Sequence, residues 1–311
     1  MRFAVIGVGA VGGYFGARLV QAGEDVVFIA RGDTLKVLRS EGLRLDSVNG
    51  DLLLPSVNAI DDTSQGGVVD VVLVGVKTWQ VPEVAGAIQP LLGEDTIVLP
   101  LQNGVEAATQ LADVLGRNPV CCGLAKIFSF LAGPGHIRHT GIDPYIAFGE
   151  FDNRRTARVE KLHQVFQNAG INAEIPPDIM AALWQKFLFV VSWGGIGAVS
   201  RVPIGAIRSL PQTRRLLEQA MNEIFNVARA RDIKLPEDIV ARSMAFIDTL
   251  PPVGTTSMQR DIAEGRPSEI DAWNGAVVRF GDEAGVDVAL HRFIYDSLRP
   301  LELYARGELS L

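Results

Sequence analysis

The feature that most narrows what this chain can fold into lies at its start, where an apolar run at residues 3–6 meets Gly7-Val8-Gly9-Ala10-Val11-Gly12 and then a helically spaced segment at 10–22 stopped by Gly23. In a G-x-G-x-x-G turn between strand and helix, each glycine has a separate task. The first allows the tight turn, the second lets backbone approach a pyrophosphate, and the third lets helix pack closely on strand. The helix N-terminus attracts the phosphate charge. A glycine-rich turn without a ligand is the ordinary alternative, and the strand-turn-helix context argues against it. Gly7, Val8, Gly9, Ala10, Val11 and Gly12 are thus candidate cofactor residues.

Further strands are expected at 26–30, 69–76 and 96–101, separated by helical or loop segments, which implies a parallel sheet. Segments 120–130 and 137–149 read as neighbouring strands joined through Ala132-Gly133-Pro134-Gly135, an antiparallel extension ending the sheet near Gly149. A helix follows at 155–168, and Pro176-Pro177-Asp178 then breaks regular structure and offers Asp178 as an N-cap. Beyond it, helical patterns at 179–191, 211–231, 236–250 and 269–284 dominate. The expected fold is α/β, with a Rossmann-type dinucleotide-binding domain over residues 1–175 and an all-helical domain over 176–311. The apolar stretch 187–200 is too short for the roughly 20 residues of a bilayer span, so a buried helix is expected there.

At the end of the second strand an NAD enzyme carries Asp or Glu for the ribose hydroxyls, whereas this chain has Ile29-Ala30-Arg31-Gly32. Arg31 can pair with a 2′-phosphate and stack on adenine, so the cofactor is read as NADP(H); a solvated loop arginine is the bland alternative. Lys77-Thr78-Trp79-Gln80 and Gln102-Asn103-Gly104 follow the third and fourth strands, at the carboxyl ends where parallel sheets bind ligands. Lys186 sits in the apolar segment Leu183-Trp184-Gln185-Lys186-Phe187-Leu188-Phe189, where a charge must reach water, a partner or a ligand. Glu269 is expected in the first turn of a helix, where capping is its default role.

A formal charge of −7 and the lack of a dense Lys/Arg run argue against nucleic acid as a partner. The N-terminus lacks the pattern of a signal peptide, and no membrane association is expected. Cys121-Cys122 cannot close loops as a framework and fits inert strand packing in a reducing compartment, so a cytoplasmic protein is expected. His136 and His139 have no ligand cluster around them in sequence, and no metal is expected. Ser192-Trp193-Gly194-Gly195 lacks the nucleophile-elbow pattern. Apolar helices in the second half make a homodimer the expected assembly.

Taken together, the glycine loop with Arg31, Lys77-Thr78-Trp79-Gln80, Gln102-Asn103-Gly104, Lys186, and Ser257-Met258-Gln259-Arg260-Asp261 leading to Glu269-Ile270-Asp271 and Asn274-Gly275 resemble the ketopantoate reductase (2-dehydropantoate 2-reductase) family over nearly the whole chain. The resemblance implies NADPH as hydride donor and reduction of a small 2-oxo acid, in pantothenate biosynthesis. It also implies that Lys186 is the proton donor, that Glu269 holds the active-site network and adjoins the cofactor, and that Lys77 contacts the cofactor. Asn103 would contact both cofactor and substrate, and Ser257 the substrate carboxylate. Where the family commonly has asparagines, four, eight and eighteen residues after the lysine, this chain has Val190, Gly194 and Ile204. Without those amides, discrimination for ketopantoate is expected to weaken, and a less polar 2-oxo acid is a credible substrate.

Overall fold

A computed structural model describes residues 1–310, and the chain divides into two compact units, Met1–Met180 and Ala181–Leu311. The first unit runs β1 (Arg2–Ile6), α1 (Ala10–Gln21), β2 (Asp25–Ile29), α2 (Gly32–Ser40), β3 (Leu43–Ser47), β4 (Leu52–Leu54), β5 (Asn58–Ile60), β6 (Val69–Val74), α3 (Val81–Ala87), β7 (Leu92–Pro100), α4 (Ala107–Leu115), β8 (Cys122–Lys126), β9 (Ser129–Gly133), β10 (His136–His139), β11 (Tyr145–Gly149), α5 (Ala157–Asn168) and β12 (Asn172–Glu174). Five strands form a parallel sheet in the order β5-β2-β1-β6-β7. Consecutive residues of β1 and β6 are buried, as in a parallel sheet covered on both faces. From the central β1 the chain steps outward to β2 and β5, then returns to β6 on the other side of β1. The carboxyl ends of β1 and β6 therefore border the switch point where such Rossmann-like sheets bind ligands.

Segments 120–130 and 137–149 do not form the single antiparallel extension expected of them. Each breaks in two, the second around Gly141, at φ +83°, and Pro144, which has no N–H to offer a ladder. Their outer parts pair as β8 with β11, and β12 adds in parallel, so this sheet continues past Gly149. Their inner parts form the β9–β10 hairpin, which joins β3 and β4 in a separate four-stranded sheet. Strands β3, β4 and β5 occupy a region read from sequence as helix or loop. The core beneath the main sheet includes Phe3, Phe15, Phe28, Phe148 and Phe166, with Phe148 edge-on to Phe166 at 5.6 Å between centroids. Full burial of one such ring is worth about 1.5–3 kcal/mol.

The second unit is helical, with no strand among the described residues. It comprises α6 (Ile179–Ser200), which begins at the end of the first unit, α7 (Ile204–Ser209), α8 (Pro211–Ala230), α9 (Ile239–Thr249), α10 (Ser257–Ala263), α11 (Asn274–Ala284) and α12 (Ala289–Ala305). Helix α6 opens directly after Asp178, and the Ile179 N–H donates to Asn153 Oδ1 at 2.9 Å. It unites the expected helix at 179–191 with the apolar stretch at 187–200. At 22 residues it is long and apolar enough to cross a membrane, so the length argument against a span fails. Burial decides the matter instead, because Leu183, Trp184, Phe187, Leu188, Val191 and Trp193 are all packed inside the protein.

Three glycines let other segments lie directly on α6. A Cβ at Gly194 would stand 2.7 Å from Trp273 Cζ3, one at Gly195 would stand 2.6 Å from Asn274 Nδ2, and one at Gly197 would stand 2.6 Å from Gln259 Oε1. Helix α11 begins at Asn274, so Glu269 is not in its first turn as expected. The Ser268 N–H and hydroxyl donate to Glu302 at 2.9 and 2.5 Å, and Glu302 is in turn gripped by Arg306. Tying Ser268 down shapes residues 269–273 into a turn, closed by the Trp273 N–H on the Glu269 carbonyl at 3.0 Å.

Candidate active site

In the first unit the turn after β1 has the geometry of an anion cradle. Gly7 turns the chain at φ +87°, and a Cβ there would stand 2.8 Å from Val76 N, so the turn after β1 rests on the backbone leaving β6. A Cβ at Gly12 would collide with the Gly7 carbonyl oxygen, so only glycine lets α1 close on the loop. Gly9 is the N-cap of α1, with no side-chain cap and no acid in the first turn. The nearest atom to a Cβ at Gly9 is Gly75 O, 4.0 Å away. Between them Val8, Ala10 and Val11 complete a loop that offers backbone N–H groups and a positive helix end, the donor set a pyrophosphate requires.

Arg31, two residues past the end of β2, is the N-cap residue of α2. Its exposed guanidinium donates to Glu83 Oε1 on α3 at 3.0 Å. Lys77 starts a short 3₁₀ turn after β6; its N–H donates to Gln80 Oε1 at 3.1 Å, and its ammonium lies 5.8 Å from the Trp79 ring centre. Asn103 is half-buried beside Gly104, whose φ is +104°. Gln102 stitches these segments together, because its buried amide donates to the Val74 and Val76 carbonyls at 2.9 and 3.0 Å. The glycine loop, the Lys77 turn and the Asn103 turn are thereby gathered at the carboxyl ends of β1, β6 and β7, and Arg31 lies one strand away after β2.

In the second unit Lys186 is half-buried on α6, between the half-buried Gln185 and the buried Phe187. Val190 follows it one turn along, also half-buried. Ser257 opens α10, whose cap is the Thr256 hydroxyl accepting from Gln259 N at 3.2 Å. That hydroxyl oxygen also lies 3.2 Å from a Cβ built at Gly194. Glu269 is buried, and its carbonyl binds Trp273, whose ring rests on Gly194. The Lys186 helix, the Ser257 turn and the Glu269 turn thus converge around Gly194 and Trp273. Ile204 is fully buried at the start of α7, where its N–H meets Gly254 O at 3.0 Å.

The remaining reactive side chains have structural partners. His136 Nε2 lies 2.8 Å from Asp46, and His139 bonds Ser47 Oγ and Ile142 O, tying β10 to β3. Burial pushes both cysteine thiols up, Cys122 to about 12, which leaves them unreactive near neutrality. Glu83 and Trp273 are contributors that the sequence did not single out, and Gln102, expected only as part of a cleft segment, has a stitching role that it did not show. Glu83 is 52 residues from the arginine it binds and had no local signal. The role of Gln102 could be sought in a polar side chain placed directly after an apolar strand. Trp273 was signalled only by the α6 glycines, each of which needs something bulky to fill its space.

Residues 3–153 match the family model for ketopantoate reductase PanE/ApbA, and residues 178–302 match that for its C-terminal part. A 2-dehydropantoate 2-reductase of Nostoc sp. is 31% identical over 100% of this chain and 98% of its own length. The crystal structure of a PanE/ApbA family ketopantoate reductase from Ralstonia eutropha superposes with a TM-score of 0.90 at 32% identity, covering 98% of this chain and 100% of that one. A D-mandelate dehydrogenase solved with NADH and anilino(oxo)acetate has the same fold, with a TM-score of 0.90 at 22% identity over 98% and 99% of the two chains. With both halves matched in order along nearly its whole length, the chain belongs to the ketopantoate reductase PanE/ApbA family.

Proposed function

We propose that this protein reduces ketopantoate to pantoate, or a closely related 2-oxo acid to its 2-hydroxy acid, with NADPH, and that it serves pantothenate biosynthesis in the cytoplasm. The observation that carries the reading is the capless, acid-free N-terminus of α1 at Gly9, with an arginine rather than an acid after β2. Residues 1–175 hold the cofactor, through residues 7–12, Arg31, Lys77 and Asn103. Residues 176–311 hold the substrate and the proton donor.

NADPH, when bound, supplies the hydride. The balanced reaction is R–CO–COO⁻ + NADPH + H⁺ → R–CH(OH)–COO⁻ + NADP⁺. As the carbonyl carbon is reduced, its π pair moves to oxygen, which takes a proton from Lys186 Nζ; water then restores the lysine. An ammonium suits both tasks, because it stabilises the developing negative charge and can give up a proton. Glu269 orients Lys186 and adjoins the cofactor, Ser257 receives the carboxylate, and Asn103 contacts both cofactor and substrate.

The test follows NADPH oxidation with ketopantoate and a panel of 2-oxo acids. Steady turnover is expected, and Lys186→Ala should lower kcat by roughly 10²-fold or more with NADPH affinity unchanged. Lys186→Arg should rescue poorly, since guanidinium scarcely releases a proton. NADPH binding without turnover on any 2-oxo acid would favour a non-catalytic NADP sensor. NADH used as well as NADPH would align the chain with the NADH-bound D-mandelate dehydrogenase instead.

A further inference from the structure

We infer that α12 sets the position of Glu269, with Glu302 and, to a smaller extent, Tyr295 acting as positioning residues for the reduction. The inference rests on the reading of Glu269 as the group that orients Lys186. Helix α10 ends at Ala263 and α11 begins at Asn274, so Glu269 sits in irregular chain. Within it the Trp273 N–H meets the Glu269 carbonyl and the Gly275 N–H meets the Ile270 carbonyl, both at 3.0 Å. Those bonds fix the internal shape of the turn but not where it sits. Helix α12 supplies the anchor points. Ser268 donates to Glu302, Tyr295 Oη donates to Asp271 Oδ1 at 2.6 Å, and Asn274 Nδ2 lies 3.0 Å from His291 Nδ1. Residues 268, 271 and 274 of the turn thus meet residues 302, 295 and 291 of α12, so the turn runs antiparallel along one face of the helix. The helix is itself tied down at its start. The Leu290 and His291 N–H groups donate to Glu223 on α8 at 3.1 and 3.0 Å, and His291 Nε2 lies 3.0 Å from the Ala220 carbonyl.

Glu302 is the principal anchor. Its carboxylate is buried; Oε2 accepts from the Ser268 N–H and hydroxyl, and Oε1 accepts from Arg306 Nε at 2.7 Å. A buried ion pair adds little stability beyond what packed apolar side chains would give, whereas its fixed hydrogen-bond directions specify position. Glutamine has the same shape, yet its amide NH2 must face either the two Ser268 donors or the Arg306 donor, so one contact becomes donor against donor. Tyr295→Phe is the gentler change. It keeps the ring against Gly275, whose Cβ position lies 2.9 Å from Tyr295 Cε2, and removes only the hydroxyl that Asp271 and Arg299 share.

The test measures kcat, the KM for NADPH and the melting temperature of Glu302→Gln, Tyr295→Phe and Glu269→Gln, singly and combined, on the best 2-oxo acid. Glu302→Gln should lower kcat about tenfold and Tyr295→Phe about threefold, with the NADPH KM held within about threefold. In the Glu269→Gln background each should cost kcat no more than about 1.5-fold, because no carboxylate is left to place. A purely structural role would lower the melting temperature and leave kcat unchanged well below it, or would cost kcat equally in both backgrounds; either result overturns the inference. If Glu302→Gln does not fold, Tyr295→Phe decides by the same comparison. Glu269→Gln impaired while Glu302→Gln and Tyr295→Phe turn over like wild type overturns the inference alone. Unimpaired turnover by Glu269→Gln overturns the reading of Glu269, and failure to reduce any 2-oxo acid overturns the reductase reading; the inference falls with either.

Discussion

Two glycine-rich segments, residues 7–12 after β1 and residues 194–197 in α6, use the same residue type for opposite ends. In the first, Gly9 is left with open space, its Cβ position meeting nothing nearer than a carbonyl oxygen at 4.0 Å. In the second, every glycine is filled by the protein itself, with Trp273, Asn274 and Gln259 pressed onto the helix backbone. A glycine therefore marks a close approach without saying what approaches. The contrast can be broken by adding carbon to each segment and asking whether stability or ligand affinity suffers.

The largest effect is expected in α6. Gly195→Val should lower unfolding free energy by about 2–3 kcal/mol, because its Cβ alone would be 2.6 Å from an Asn274 amide already held by His291. NADPH affinity, measured by fluorescence titration, should stay within about twofold. A Gly195→Val variant that melts like wild type would mean that the packing on α6 yields freely, and that the segment is not sealed.

Gly9→Ala is the converse. The fold has room for the methyl and the N-cap backbone is extended, so the melting temperature should hold. NADPH affinity should drop about tenfold or more, roughly 1.4 kcal/mol, because the added carbon stands where the phosphates approach. Loss of stability with unchanged affinity would make the loop an ordinary tight turn.

The difference between the segments also explains what could be read from sequence. The first is local: strand, turn and helix lie within about twenty residues, and each glycine has a task set by its immediate neighbours. The sheet of β3, β4, β9 and β10 was illegible because its parallel pair joins Leu45 to Ile137, far apart in the chain, and its strands are as short as three residues. Glu269 was misplaced into a helix because the residue that prevents one there, Glu302, acts on Ser268 from 34 positions away. Likewise Gly194 announces a void, but only the fold reveals that Trp273 occupies it. Lys186 and Glu269 stand out in the sequence as a charge in an apolar helix and an acid near a helix start, whereas Ser257 has only the family motif to mark it, and the convergence of their segments around Gly194 and Trp273 had no sequence signature.

A smaller effect tests what holds the filled segment together. His291 is buried between Asn274 and the Ala220 carbonyl, and burial lowers its pKa below the ordinary 6.5 despite Ala220 and Glu223 favouring the charged form. The unfolded chain therefore takes up a proton near pH 6.5 that the folded chain refuses, so stability falls as pH drops below that value and continues to fall until the folded pKa is reached. The slope is at most about 1.4 kcal/mol per pH unit. Urea titrations of wild type and His291→Asn between pH 7.5 and about 5.5 should show the substituted protein less stable at neutrality but shallower in its acid decline. Parallel curves would remove His291 as a source of that pH dependence.

The smallest effect sharpens the open segment's claim to a phosphorylated cofactor. Arg31 and Glu83 form an ion pair whose side chains are 72% and 64% exposed, a setting in which such pairs are worth at most about 1 kcal/mol. A 2′-phosphate must draw the guanidinium from that carboxylate and then bind beside its negative charge. Glu83→Gln should therefore tighten NADPH by up to about fivefold and leave NADH nearly unchanged, with the gain shrinking as salt screens both partners. In an Arg31→Ala background the same substitution should help NADPH little, because the competition it relieves no longer exists. Equal gains for NADPH and NADH would mean that Glu83 acts as a general negative charge near the cradle, and Arg31 would return to being a solvated loop residue.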